Sequence, residues 1–295
     1  MTRLATSGVQ LTIGPFIVQV RSGFPLVHQY LETLYADFPM GSGEGGHFDI
    51  ELTHSRGVRR WVRPQANLTV NGERPFLPLP ADLAGALFEW TLNWCVGREA
   101  HRFVAMHAAV VERDGRALII SGESGAGKST LCAALVLAGW RLLSDEFALI
   151  DPDTGLLSPL PRPVSLKNAS IDIIRRRGPE MVFGPEGIDI EHARFVHMKP
   201  PVSSVRRASE TATPAVVIFP RWKAGVPTAL TRVRAAQTLI RLADQSFNYN
   251  YLGVRGFNAI AALARRAEGY ELEYSDLDDA LPRLAGLCDS RARPA

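Results

Sequence analysis

Apolar and polar positions alternate over residues 9–13 and 16–20, on either side of Gly14-Pro15. That period of two predicts a pair of strands joined by a turn. A helix is expected over 26–34, and residues 68–70 run into Asn71-Gly72 as hairpin grammar. A further helix over 81–95 carries Leu87, Trp90, Leu92 and Trp94, a spacing that suits packing against a core better than a cofactor box. Residues 117–120, Ala-Leu-Ile-Ile, have the length of a buried strand, and 130–138 reads as a helix closed by Gly139. Strands follow over 140–146 and 147–151, then the turn Pro152-Asp153-Thr154-Gly155 and Leu156-Leu157, which predicts a hairpin and not a second crossover helix. A buried strand over 214–219, helices over 235–245 and 258–266, a strand over 270–274 and a helix capped near Ser275 complete the pattern. The fold class expected is mixed α/β: a small α+β lobe over 1–99, then a core over 100–295 with parallel and antiparallel strands in one sheet.

The segment between the strand at 117–120 and the helix after it is Gly122-Glu123-Ser124-Gly125-Ala126-Gly127-Lys128-Ser129, which fits G-x-x-x-x-G-K-S/T at every fixed position. Gly122, Gly125 and Gly127 let main-chain N–H groups close around phosphate oxygens. Lys128 offers a mobile cation to the outer phosphates, and the Ser129 hydroxyl can ligate Mg²⁺. The helix that begins here, with Thr130 in its first turn, points its positive end at the same anion. Gly41-Ser42-Gly43-Glu44-Gly45-Gly46 has no strand or helix to place it and reads as a flexible loop.

Asp145 and Glu146 lie at the end of the strand after the loop helix, with Asp145 seventeen residues beyond Lys128. A strand running parallel to the first brings both acids to the side of the sheet where ligands bind in open α/β folds. One acid can hold the metal while the other takes a proton.

From Met106 to Asp151 the chain resembles the catalytic core of the HPr kinase/phosphorylase family. The likeness rests on His107-Ala108-Ala109, the phosphate loop, and Gly139-Trp140-Arg141-Leu142-Leu143-Ser144-Asp145-Glu146. Beyond it, residues 89–95, 161–168 and 247–250 resemble the branch called HPr-kinase-related kinases, type A. The resemblance implies a fold shared with phosphoenolpyruvate carboxykinases and transfer of a phosphoryl group from ATP to a serine-like hydroxyl of a protein or peptide. By position, Lys128 would grip the β- and γ-phosphates, Ser129 and Asp145 would serve Mg²⁺, and His107 would lie near the active centre. Glu146 stands where the family has the second Asp of a pair, so either it or Asp145 is the candidate base. The family's downstream metal ligand and its Arg-Gly signature have no counterpart in this sequence. Arg162 and Lys167, from the segment Pro161-Arg162-Pro163-Val164-Ser165-Leu166-Lys167, could reach the phosphates or an acidic acceptor from an extended loop. Self-association is also implied.

Thirty-three basic against thirty acidic side chains leave a net charge of +3, without the basic stripe that a nucleic-acid surface needs. Arg175-Arg176-Arg177 and Arg206-Arg207 read as solvated faces, and His192 and His197 as structural. Three isolated cysteines, Cys95, Cys132 and Cys288, suit a reducing cytoplasm. No run approaches eighteen apolar residues, and the first residues open into a strand pattern, so no membrane segment or leader is expected. Two rival readings stand beside the kinase: a nucleotide-binding regulator or slow ATPase, and a kinase of a small metabolite.

Overall fold

The computed structural model describes residues 2–41, 45–55, 57 and 62–289. Part of the glycine-rich loop expected over 41–46, residues 42–44, lies outside that range. The first lobe is built on a six-stranded sheet among the described residues, in the order Met40–Gly41, Val9–Ile13, Phe16–Ser22, Phe48–His54, Gln65–Val70 and Leu79–Pro80. Phe16–Ser22 and Phe48–His54 pair in parallel and their neighbours antiparallel. Asn71 and Gly72 take positive φ, 48° and 84°, and close the expected tight turn, with Val70 and Glu73 exchanging backbone hydrogen bonds. A short helix, Thr2–Thr6, precedes the first strand where only strand pattern was expected.

The helix Ala84–Glu99 joins the lobes. It is apolar on nearly every side and therefore buried on nearly every side: Leu87, Phe88, Leu92 and Cys95 share one core cluster with the first sheet and with Ala105, Phe147 and Leu149 of the second.

The second sheet has the order Leu157–Ser158, Phe147–Ile150, Val104–Arg113, Arg116–Ser121, Thr213–Trp222, Glu268–Tyr274, Ala229–Val233. Thr213–Trp222 is parallel to both of its neighbours and the remaining pairs are antiparallel, so the sheet is mixed. Its two faces follow the period of two. Val104, Met106, Ala108 and Val110 pack with Leu242, Ile260 and Leu263 of the helices Ala235–Asp244 and Tyr249–Arg266. Ala109, Val111, Leu118 and Ile120 pack on the opposite face with Leu131, Leu135 and Leu284 of the helices Lys128–Leu137 and Leu277–Cys288.

Arg141–Ser144 runs in the same sense as the phosphate-loop strand Arg116–Ser121, as expected, yet it is not that strand's neighbour. Val104–Arg113 lies between them and pairs antiparallel with each. Phe147–Ile150 lies along the same edge of Val104–Arg113 as Arg141–Ser144, so the two short strands are end to end and Asp145 and Glu146 occupy the break. The hairpin from Phe147–Ile150 into Leu157–Ser158 is formed.

Several boundaries differ from the pattern reading. The helix expected over 258–266 begins at Tyr249, kinked at Gly253 with φ 58°, and the last helix is capped by Asp276, whose carboxylate accepts from the Asp278 amide at 2.8 Å. Ala169–Arg177 is a helix that periodicity missed because its apolar stripe is short: Ile171 and Ile174 are buried and Ile173 packs beside them in part. It carries the triple-arginine run, in which Arg175 pairs with Glu186 and Arg177 with Asp278.

Between the lobes lies a buried charge network. Arg162 donates to Glu89 Oε2 at 2.8 Å, and the Tyr35 hydroxyl donates to Glu89 Oε1 at 2.5 Å. Breaking a buried pair leaves an uncompensated charge, whereas replacing both members with apolar groups removes the desolvation penalty as well. Arg162→Ala should therefore cost about 3–5 kcal/mol of stability, while the double variant Glu89→Leu/Arg162→Met should cost less than either single change, as measured by urea denaturation.

Candidate functional site

The phosphate loop leaves the sheet at Ser121 and enters its helix at Lys128. Gly127 sits ahead of that helix with φ 91°, a conformation L side chains rarely adopt, and a Cβ there would come within 2.9 Å of the Tyr274 hydroxyl. Lys128 is 7% exposed, and its ammonium donates to the carbonyls of Gly122 and Glu123 at 2.8 and 2.9 Å. Burial lowers its pKa, while Glu146 and Asp145 oppose that shift. The cation is thus held on its own loop, within the electrostatic reach of both acids.

Asp145 and Glu146 diverge. Asp145 is 3% exposed; the Ser165 amide donates to its Oδ2 at 2.9 Å, while Oδ1 is buried with no hydrogen-bond partner. Burial pushes its pKa up to about 7 and the neighbouring Glu146 charge adds to the rise; the Ser165 amide and the Ser129 side chain pull it back. Glu146 is half-buried, with Oε2 3.6 Å from His107 Nδ1. Burial lowers the His107 pKa, Lys128 pushes the same way and Glu146 opposes, so the imidazole is neutral at pH 7.

Two clefts open around this cluster. The first, about 470 Å³, is lined by Gly122 to Ala126 of the loop, by Phe219 to Trp222 at the end of the parallel strand beside it, and by Arg241, Asp244 and Gln245. The second, about 540 Å³, is lined by Glu146, His107 and Phe147, by Asn93 and Trp94 of the inter-lobe helix, and by Asp244 to Phe247. Asp244 and Gln245 belong to both and form the wall between them. The Gln245–Asn248 turn is fastened to the strand Val104–Arg113: His107 N donates to Gln245 O at 2.8 Å, Phe247 N to Ala105 O at 2.9 Å, and the Asn248 side chain accepts from Ala105 N and donates to Phe103 O, both at 2.9 Å.

Among the residues proposed from sequence, the loop, Lys128, Ser129, Asp145, Glu146 and His107 converge. Arg162 does not line either cleft; it is buried against Glu89, with Nε and Nη1 unpartnered. Lys167 is half-exposed and paired with Asp189 at 2.8 Å. Thr130 lies in the first turn of the loop helix. Sequence reasoning missed Trp222, Arg241, Asp244 and Gln245. The available signal was position: a strand parallel to the phosphate-loop strand delivers its C-terminal end to the ligand side of the sheet, and the strand expected over 214–219 leads directly to Trp222.

Because the folded protein holds the Asp145 proton more tightly than the unfolded chain does, deprotonation costs native stability as pH rises from about 4 to about 7. Asp145→Asn carries no such charge. In the nucleotide-free protein the stability of Asp145→Asn relative to wild type should increase over that window and level off above it, as read from denaturation midpoints at a series of pH values.

Neither a protein-family model nor a curated protein matches the chain. Among solved structures, the Hpr(Ser) kinase/phosphatase from Coxiella burnetii is similar at 13% identity over 62% of this chain and 96% of that one, with a TM-score of 0.28, a superposition too loose to support a conclusion about fold or function. Among the described residues no helix is long and apolar enough to cross a membrane.

Proposed function

We propose that the protein transfers the γ-phosphoryl group of ATP to a hydroxyl of a protein or peptide. The observation that carries this reading is the shared wall: a phosphate-binding cleft and a cleft holding Glu146 and His107 meet at Asp244 and Gln245. A donor in the first and an acceptor in the second would approach each other there. The sequence resemblance described above points the same way.

Loop amides and the helix start hold the phosphates, and Lys128 exchanges the Gly122 and Glu123 carbonyls for phosphate oxygens. The residues fit a magnesium ion: buried Asp145 Oδ1 lacks a partner and Ser129 is beside that carboxyl. Among the described residues no group of three or more His, Cys, Asp or Glu forms a closed metal site. A cation here would therefore take further ligands from phosphate and water. When bound through Ser129 and Asp145, Mg²⁺ would supply neutralisation of the phosphoryl charge.

The acceptor oxygen forms its bond to the γ-phosphorus as the bond to the bridging oxygen breaks, releasing ADP. Glu146 takes the hydroxyl proton. It is the more accessible acid, and its Oε2 stands 3.6 Å from Nδ1 of His107 at the second cleft. Trp94, Phe147 and Phe247 give that cleft aromatic walls, which suit a side chain presented by a polypeptide better than a small polar metabolite.

With γ-labelled Mg-ATP and a cell lysate as acceptor source, wild type should label a protein or peptide. Glu146→Gln should slow labelling by roughly a hundred- to ten-thousandfold while retaining ATP binding, and Lys128→Ala should lose nucleotide affinity and labelling together. ATP binding with no acceptor labelled under any condition would overturn transfer in favour of a nucleotide-binding regulator.

A further inference from the structure

The outer part of the first cleft holds an aromatic surface that phosphate chemistry does not use. Phe219 and Trp222, from the strand Thr213–Trp222, both line it, but they are presented differently. Phe219 is 4% exposed, and the Arg241 guanidinium covers its ring at 4.0 Å from the centroid. Trp222 is 56% exposed, yet its indole is not free to swing: Nε1 donates to the Ser275 carbonyl at 3.2 Å. The Ser275 hydroxyl in turn donates to Val226 O at 2.7 Å, tying together the segments that leave the two parallel strands. The edge of the indole is anchored while its surface remains accessible.

The two arginines of this cleft are already matched. Arg221 lies 3.6 Å from Glu273, and Arg241 donates to Glu271 at 2.9 Å. An anchored aromatic face with paired cations beside it offers stacking surface, while Asp244 and Gln245, the side chains of this cleft suited to reading a base edge, belong to the wall shared with the second cleft, where the γ-phosphate end is proposed to lie.

We infer that Trp222 is the platform on which the base of the bound nucleotide stacks, and that the protein accepts adenine and guanine nucleotides with similar affinity because it reads the base by its face. The inference rests on the phosphate loop binding a nucleotide, as proposed above, and extends it to the group at the other end of the ligand. Stacking is tolerant of base identity because every base has a π-face, and its loss on alanine substitution is worth about 1–3 kcal/mol, or roughly 5- to 150-fold in affinity. A phosphate chain without a base gains nothing from the indole.

Equilibrium binding of Mg-ATP, Mg-GTP and inorganic triphosphate with Mg²⁺, measured on wild type, Trp222→Ala and Trp222→Phe, tests this. Trp222→Ala should weaken ATP and GTP alike by about tenfold, Trp222→Phe should recover most of that loss, and triphosphate should bind all three proteins equally. Unchanged ATP affinity in Trp222→Ala would overturn the stacking role. So would a parallel loss of triphosphate binding, which would make Trp222 a support for the loop, and a wild-type preference above a hundredfold for one purine would overturn reading by the face. Failure of wild type to bind either ATP or triphosphate would instead bring down the nucleotide reading itself.

Discussion

Burial of the strand Val104–Arg113 on both faces and both edges is the constraint on which the rest of the molecule depends. One edge pairs with the phosphate-loop strand, and where that strand ends the Gln245–Asn248 turn takes over. The other edge pairs with Arg141–Ser144 and Phe147–Ile150 in line. A buried strand has to satisfy its backbone groups along its whole length. The phosphate loop, the acid pair and the wall between the clefts are therefore all registered against one element. Positioning of this kind is what phosphoryl transfer demands, since most of its catalysis comes from geometry and electrostatics.

The break between the two short strands is as informative as the strands. Across it the register is kept, since Ser144 pairs with Val110 and Phe147 with His107 and the Ala108 amide donates to Glu146 O at 3.3 Å, so the two acids leave the sheet on opposite faces. In the break, Asp145 turns inward onto the Ser165 amide and Glu146 outward toward His107. Two adjacent carboxylates thereby acquire different environments. One is desolvated and lifted to about 7, the other is accessible beside a neutral imidazole, and a division of labour between metal and proton becomes physically available. Lys128, resting on the carbonyls of its own loop, adds a third charge to the same small volume.

The inter-lobe contact belongs to the same design. The helix Ala84–Glu99 buries Leu87 and Leu92 with the first sheet and also brings Asn93 and Trp94 to the second cleft. The Glu89–Arg162 pair in its middle couples that helix to the segment before Val164–Lys167. Arg162 thereby gains a partner in the core of the molecule, where a reading of exposed loops would not place it.

Local chemistry made a large share of this legible. The glycines with Lys128-Ser129 between an apolar run and a helix announce the strand–loop–helix unit that is formed, and strands such as Val9–Ile13 announce themselves by their period of two. Helix ends were less legible: the helical span Tyr249–Arg266 starts nine residues early because a short helical segment precedes Gly253, whose non-helical φ of 58° interrupts the pattern. What the sequence by itself determined is the set of local conformations and the reactive groups they carry, since these follow from backbone sterics and hydrophobic periodicity over a few residues. Only the tertiary structure decided that Val104–Arg113 separates the two parallel strands, that Trp222 and Asp244 face the phosphate loop, and that Arg162 is buried. Those facts depend on which distant surfaces exclude water together, and no local pattern encodes that choice.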